Sequence, residues 1–378
     1  MGNYKRCLFL TNHDLDESNG ISKKIVSQVK AIEQLGYTTY LVSIRFIGDS
    51  QFSVINGNIF CLLGNRWTKA LFRNAIYYNR LYNFVENKNI QILYIRYTQL
   101  ADIFFLNFLR RCKKLHCRVY MEIPTYPYDG EFPNNVFRLA FVKFNDRVYR
   151  NFFHFYVDRI VTFSTDNQIF GIDCINISNA VDENLIPLVE KNKSNNKNIN
   201  FIGVANLNFW HGYDRMVEGI NNYYNEDHDT NVCFYIVGEG NSEVEKKLAI
   251  MINKYKLNDY IFMVGPLYGR KLDNLFNSCD IAVGSLGSHR KRIVETKTLK
   301  NVEYAMRGLP IIYSEKNNDF DGMSYVYKVP ADDSAIDVSS IVSFFNDKTF
   351  NALDIRNTVS HLTWINQMKR VFSVIRNH

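Results

Sequence analysis

Twice along this chain short apolar runs alternate with stretches of helical periodicity, and one polar segment separates the two series. In the first series residues 7–11, 38–44, 92–96 and 118–123 read as buried strands, and 21–35 reads as a helix stopped by Gly36. Strands that are apolar throughout, with helices between them, are βαβ units, which demand a parallel sheet covered by helices on both faces. The alternation pauses over 188–200, where Glu190 to Asn198 contain no apolar residue. It resumes with strands at 199–204, 232–237, 260–264 and 281–284, and with helices from Gly212, over 242–255 and over 271–276. The expected organisation is α/β: a Rossmann-like domain over 1–187, a linker over 188–200 and a second Rossmann-like domain over 201–359. A closing helix over 360–378 carries Leu362, Ile365, Met368, Val371 and Ile375 on one side.

The length supports this division, because 378 residues exceed what one hydrophobic core usually fills. No run of about eighteen apolar residues is present, and Met1 to Arg6 lead straight into a strand, so the chain is expected in the cytoplasm. Seven cysteines, an odd number with no Cys-x-x-Cys pair, read as reduced core residues. A net charge of +7 favours anionic partners, phosphates or lipid headgroups. Nucleic acid is not expected, because no Lys/Arg-rich arm accompanies that charge.

Glu295 and Glu303 lie eight positions apart, between the strand-like run 280–286 and the phrase Tyr304-Ala305-Met306-Arg307-Gly308-Leu309-Pro310. A loop and the helix it enters can aim both carboxylates at one ligand with many hydroxyls. Nucleotide sugars are such ligands, since a carboxylate accepts from two neighbouring hydroxyls of a ribose or a hexose, and the helix N-terminus suits the diphosphate between them. Gly20 opens a helix after the first strand, where it is either a plain turn or a place for backbone amides to approach phosphate or sugar. His211 and Arg215, in Trp210-His211-Gly212-Tyr213-Asp214-Arg215, stand at a helix entry. His211 is a candidate donor to phosphate or sugar; Arg215 either pairs with phosphate or makes a structural pair with Asp214 or Glu218. Glu122 begins the turn Glu122-Ile123-Pro124-Thr125-Tyr126-Pro127-Tyr128, which is either structural or an acceptor site. In the second case Glu122 meets an acceptor hydroxyl, with Thr125 and Tyr126 beside it, and Arg96 steadies a phosphate or that carboxylate. Asp14 and Asp16 are not expected to bind metal. Residues 134–159 mix aromatic and basic side chains, as in a helix at a membrane interface or an ordinary domain helix with solvated arginines.

The Glu295 to Glu303 interval and the phrase after it resemble the E-x(7)-E motif of retaining glycosyltransferases of the GT-B fold. Within that fold the likeness is to the family 4 type found in bacterial capsule, exopolysaccharide and O-antigen assembly. Asn19 to Lys24 resemble the family's Gly-containing N-terminal loop, Val237-Gly238-Glu239-Gly240 its mid-domain strand-turn, and Trp210 to Arg215 its Lys-Gly followed by Asp. The resemblance spans almost the whole chain and is strongest from Asn200 to Ser314. It implies two Rossmann-like domains facing across a cleft, with acceptor on the first, donor on the second, and the last helix crossing back. It further implies sugar transfer, with retention, from a nucleotide diphosphate-sugar to a polyprenyl-diphosphate-linked or growing glycan, at the anionic inner face of a membrane and without a metal cofactor. Glu303 would hold the ribose, Glu295 the donor sugar, and Lys297 or Lys300 the diphosphate, helped by Gly20, His211, Arg215 and Gly238; Glu295, Glu122 and Lys300 form the catalytic set. Two departures stand out. Ala205 or Asn206, and His211, occupy places where the family has an Arg and a Lys for the diphosphate, and Thr296-Lys297-Thr298 replace its glycines. They leave open a non-catalytic assembly subunit, and a sugar-nucleotide epimerase or hydrolase would use the same cleft.

Overall fold

The computed structural model describes residues 5–15, 20–64, 70–99, 101–128, 137–190 and 198–373. They form two compact units, Met1–Ser178 with Trp364–His378, and Asn179–Thr363. The chain changes unit at Ser178, ahead of the polar segment expected to be the linker. Val189 is already core of the second unit, 4% exposed and donating to the Arg307 carbonyl at 2.9 Å. Chain entry and exit of that unit lie side by side, Val181 bridging Thr363 in parallel.

The first unit contains β1 (Lys5–Asp14), α1 (Gly20–Gln34), β2 (Tyr37–Ile47), β3 (Ser50–Ile55), β4 (Asn58–Gly64), α2 (Ala70–Asn87) and β5 (Ile92–Arg96). After them come α3 (Ile103–Lys114), β6 (Arg118–Ile123), α4 (Phe137–Tyr149), β7 (Arg159–Thr162), β8 (Gln168–Ile169) and β9 (Ile172–Asn176). The sheet runs β4-β3-β2-β1-β5-β6-β7-β9-β8, parallel from β2 to β9. Its β3–β4 end is an antiparallel hairpin turned by Asn56 (φ 48°) and Gly57 (φ 83°), the pair of positive φ values that two-residue hairpin turns need. Leu8, Leu10, Leu93 and Ile95 point into a core shared with Leu81 and Val85 of α2 and Phe105 and Leu109 of α3.

The second unit contains β10 (Asn198–Val204), α5 (Tyr213–Tyr224), β11 (Asn231–Val237), α6 (Ser242–Lys254), β12 (Ile261–Gly265) and α7 (Gly269–Asn277). It continues with β13 (Ile281–Val283), α8 (Leu299–Arg307), β14 (Ile311–Tyr313), β15 (Val326–Lys328), α9 (Val338–Asn346) and α10 (Ala352–Thr358). All its strand pairs are parallel, in the order β12-β11-β10-β13-β14-β15. Gly308, left-handed at φ 84°, ends α8 and turns the chain into β14 through Pro310. The last helix, α11 (Trp364–Ser373), belongs to the first unit, where Phe372 meets the rings of Tyr37, Tyr94 and Tyr120. It starts later than expected: Leu362 is core of the second unit, and Ile375 lies outside the described residues. All seven cysteines are free. No helix among the described residues is long and apolar enough to cross a membrane.

Candidate functional site

Open parallel sheets hold ligands outside the carboxyl ends of their strands, where the strand order reverses. In the second unit that point lies between β10 and β13. Backbone contacts tie the loops there together: Leu286 N donates to His211 O at 2.9 Å and Ser314 N to Ser285 O at 3.0 Å. Gly212 and Gly287 approach so closely that a Cβ on Gly212 would stand 2.7 Å from the Gly287 nitrogen. Beside these loops α8 begins, and the side chain of its N-cap residue, Thr298, makes no cap.

Polar groups gather here without protein partners. Thr298 Oγ1, both polar atoms of the Asn301 side chain, Glu315 Oε1 and the Tyr213 hydroxyl are buried and lack a hydrogen-bond partner among the described residues. Asn301 is 0%, Glu315 1% and Tyr213 2% exposed. A buried polar group left unpaired costs roughly 1–3 kcal/mol, so a polar ligand supplying partners would recover that cost.

Lys300, on α8, brings a cation against His211. Its Nζ donates to His211 Nδ1 at 3.1 Å, while His211 Nε2 donates to Asn206 O at 2.9 Å. The Asn206 carbonyl accepts only, which places the proton on Nε2 and leaves Nδ1 as an acceptor. Burial, then the Lys300 charge, push the His211 pKa down to about 2, so the imidazole is neutral. Both ring nitrogens are thus engaged within the protein, which leaves neither for the expected His211 contact with phosphate. Burial draws the Lys300 pKa down to about 8, with Glu315 opposing. Lys297 has its charge matched, its Nζ lying 3.5 Å from Asp319 Oδ1.

The two carboxylates of the sequence motif are both half-buried. Glu303, on α8, receives Arg307 Nε at 3.3 Å and Nη2 at 3.2 Å on Oε1 alone, and Oε2 has no partner among the described residues. Arg307 is itself fixed by Asp273 at 2.8 Å and by stacking over Phe276. Glu295 lies on an extended segment paired with Lys316 and receives Asn318 Nδ2 at 2.7 Å.

Other expected contacts are redirected by burial. Arg215 is 1% exposed: Nε donates to Ser334 O at 2.7 Å, Nη2 to Pro330 O at 3.0 Å, and Nη1 to Leu286 O. Its guanidinium staples two loops, the one after β13 and the one between β15 and α9, and is not free for a diphosphate. Gly238 sits at φ +123° with its would-be Cβ 1.9 Å from Ala205 O, so glycine there serves backbone packing. In the first unit Glu122, expected at an acceptor hydroxyl, is 0% exposed and saturated. It accepts from Gln28 Nε2 and Tyr94 Oη, both at 2.7 Å, and from Arg96, with Lys24 Nζ at 3.8 Å. Burial opposes its charge, but Arg96, Lys24 and those hydrogen bonds outweigh it and hold its pKa below the ordinary value. Arg96 and Glu122 thus satisfy each other. Tyr126 packs edge-on against Phe170 at 5.9 Å, and Thr125 is half-buried in the same turn. Gly20 opens α1 with nothing within 4 Å of a built Cβ. Asp16, Asn19 and residues 129–136 lie outside the described residues.

Sequence reasoning passed over Glu315, Asn301 and Thr298. Glu315 was within reach, because it stands just beyond the end of β14.

Residues 187–320 match the family model described as glycosyl transferases group 1. A sequence comparison with curated proteins returned no match. Among solved structures, a glycosyltransferase from Rickettsia africae is similar over 100% of this chain and 99% of its own, with TM-score 0.70 and 12% identity. The Anabaena protein HepE in complex with UDP is similar over 99% and 100%, with TM-score 0.61 and 12% identity. The pneumococcal O-GlcNAc transferase GtfA in complex with UDP and GlcNAc is similar over 100% and 99%, with TM-score 0.63 and 10% identity. At such identities the likeness establishes the fold, a GT-B architecture of two Rossmann-like α/β domains.

Arg215→Met leaves three carbonyls, the buried one of Leu286 among them, without their donor. The expected result is a loss of about 3 kcal/mol of stability in denaturant unfolding. An unchanged midpoint would return Arg215 to the list of ligand contacts.

Proposed function

We propose that this chain transfers a sugar from a nucleotide diphosphate-sugar to a glycan acceptor. The observation that carries this reading is the group of buried, partnerless polar atoms around the N-terminus of α8, with Lys300 beside them. A helix N-terminus and one desolvated lysine supply a positive field for a leaving diphosphate, so the chemistry needs no metal. The free Glu303 Oε2 suits a ribose hydroxyl and Glu295 the donor sugar. The match to glycosyl transferases group 1 and the nucleotides in the related structures support the same donor class.

Retention is the stereochemical course we assign. The bond from the anomeric carbon to the diphosphate oxygen breaks, and the acceptor oxygen bonds to that carbon on the same face. The acceptor proton passes to the departing diphosphate. The acceptor is a polyprenyl-diphosphate-linked or growing glycan of a cell-surface polysaccharide, met at the inner face of the membrane. Purified protein given UDP-, GDP-, dTDP-, ADP- and CMP-sugars with such an acceptor should consume one donor and form a product of unchanged anomeric configuration by NMR. Lys300→Met should lower kcat/KM about 100-fold, roughly 2.7 kcal/mol of transition-state stabilisation. Donor consumption without acceptor would replace transfer by hydrolysis or epimerisation, and no consumption by wild type would make the chain a non-catalytic subunit.

Membrane contact is supported by Phe144 (64% exposed), Val148 (39%), Phe152 (45%) and Phe155 (62%), spaced along α4 and the 3-10 turn after it with Lys143 and Arg147 among them. Apolar side chains bordered by cations fit an anionic lipid surface. The protein should sediment with phosphatidylglycerol vesicles and not with phosphatidylcholine. The double substitution Phe144→Ser with Phe155→Ser should abolish sedimentation, and its persistence would refute this surface.

A further inference from the structure

Glu315 is a buried acid beside the candidate site that the proposed reaction does not use. It follows β14, at the carboxyl edge of the sheet, and its side chain is 1% exposed. One carboxyl oxygen has the Ser288 hydroxyl at 3.4 Å, and the other has no partner among the described residues. So thin a shell of donors solvates a negative charge poorly.

The charged and titratable groups around it come from several elements and the loops between them. Lys300 approaches from α8, and Lys328 from β15, where its Nζ donates to the Glu315 carbonyl oxygen and lies 3.1 Å from Asp321. Tyr313, on β14, is held by Asp321 at 2.8 Å. The turn containing Ser288 also carries His289, whose Nε2 is 3.2 Å from Asp333. Among the described residues the cations acting on the carboxyl are lysines, Lys300 and Lys328, and Lys300 is shared with neutral His211.

We propose that Glu315 is a positioning residue whose carboxyl takes up a proton from solvent as the donor diphosphate binds beside Lys300. This rests on the donor-site reading above. With the site empty, carboxylate and ammonium offset each other, so Lys300 is kept charged in a dry place without a bound anion. When phosphate charge arrives, the ammonium gains a closer partner and the carboxylate faces a like charge in a medium of low dielectric. Protonation removes that repulsion and turns the carboxyl into a hydrogen-bond donor. Burial, opposed by Glu315's own backbone amide and by Lys300 and Lys328, has already pushed the Glu315 pKa up to about 7, which makes the step easy near neutrality.

The sign follows from linkage: the loaded site holds more protons than the empty one, so affinity falls as pH rises through 7. Lys300, drawn down to about 8, adds its own loss of affinity only above that value. The test is isothermal titration at pH 7 in buffers of different ionisation enthalpy, with UDP-glucose, GDP-mannose, dTDP-glucose and ADP-glucose. None of these has a phosphate that titrates nearby. Binding of the preferred sugar nucleotide should take up roughly half a proton. Difference infrared spectra should gain the carbonyl stretch of a protonated carboxylic acid, absent in Glu315→Gln. Binding without proton uptake, or a carboxylic band that survives Glu315→Gln, would overturn this role and leave the donor site standing. Binding of none of the four would remove the donor site and this role with it.

Discussion

Backbone meeting backbone without room for a side chain is the constraint on which the second unit depends. Gly238 lies against the Ala205 carbonyl, and Gly212 against Gly287. These contacts bring the loops after β10, β11 and β13 within reach of one another. The Arg215 guanidinium then closes the arrangement by collecting carbonyls from Leu286, Pro330 and Ser334. A flexible set of loops would be a poor frame for a desolvated lysine, whereas this one holds His211 so that Nδ1 receives Lys300.

Charge is used in two ways in this chain, and burial separates them. Glu122 with Arg96 and Lys24, and Arg215 with its carbonyls, are saturated: their partners are protein groups and their removal leaves orphaned charges or acceptors. Glu315 and Asn301 are equally withdrawn from water but incompletely paired, and the half-buried Lys300 has its pKa drawn down beside them. The first kind fixes the fold, and the second leaves an electrostatic demand that a ligand can meet.

Much of the architecture was legible because strand and helix periods are local properties of sequence. The twin βαβ series produced two sheets with parallel cores, and Gly308 ends α8 ahead of Pro310 and β14. The β3–β4 hairpin was equally legible in Asn56-Gly57 but was passed over beside the stronger βαβ rhythm. The site was harder to read. Whether an Arg or a Glu is saturated depends on residues distant in sequence: Glu122 meets Gln28 and Tyr94, and Arg215 meets Ser334. No local pattern announces such partners. Lys300 was within reach only as one of several nearby cations, and its pairing with His211 needed the fold.

Thermal stabilisation by the panel of nucleotide diphosphates and their sugars tests the central claim, a donor site at the start of α8, most directly. One nucleotide class at about 100 times its Kd should stabilise wild type by about 2.7 kcal/mol, a rise of several degrees, and the rise should vanish in Glu303→Ala. No rise with any of them, or one that Glu303→Ala leaves intact, would contradict it.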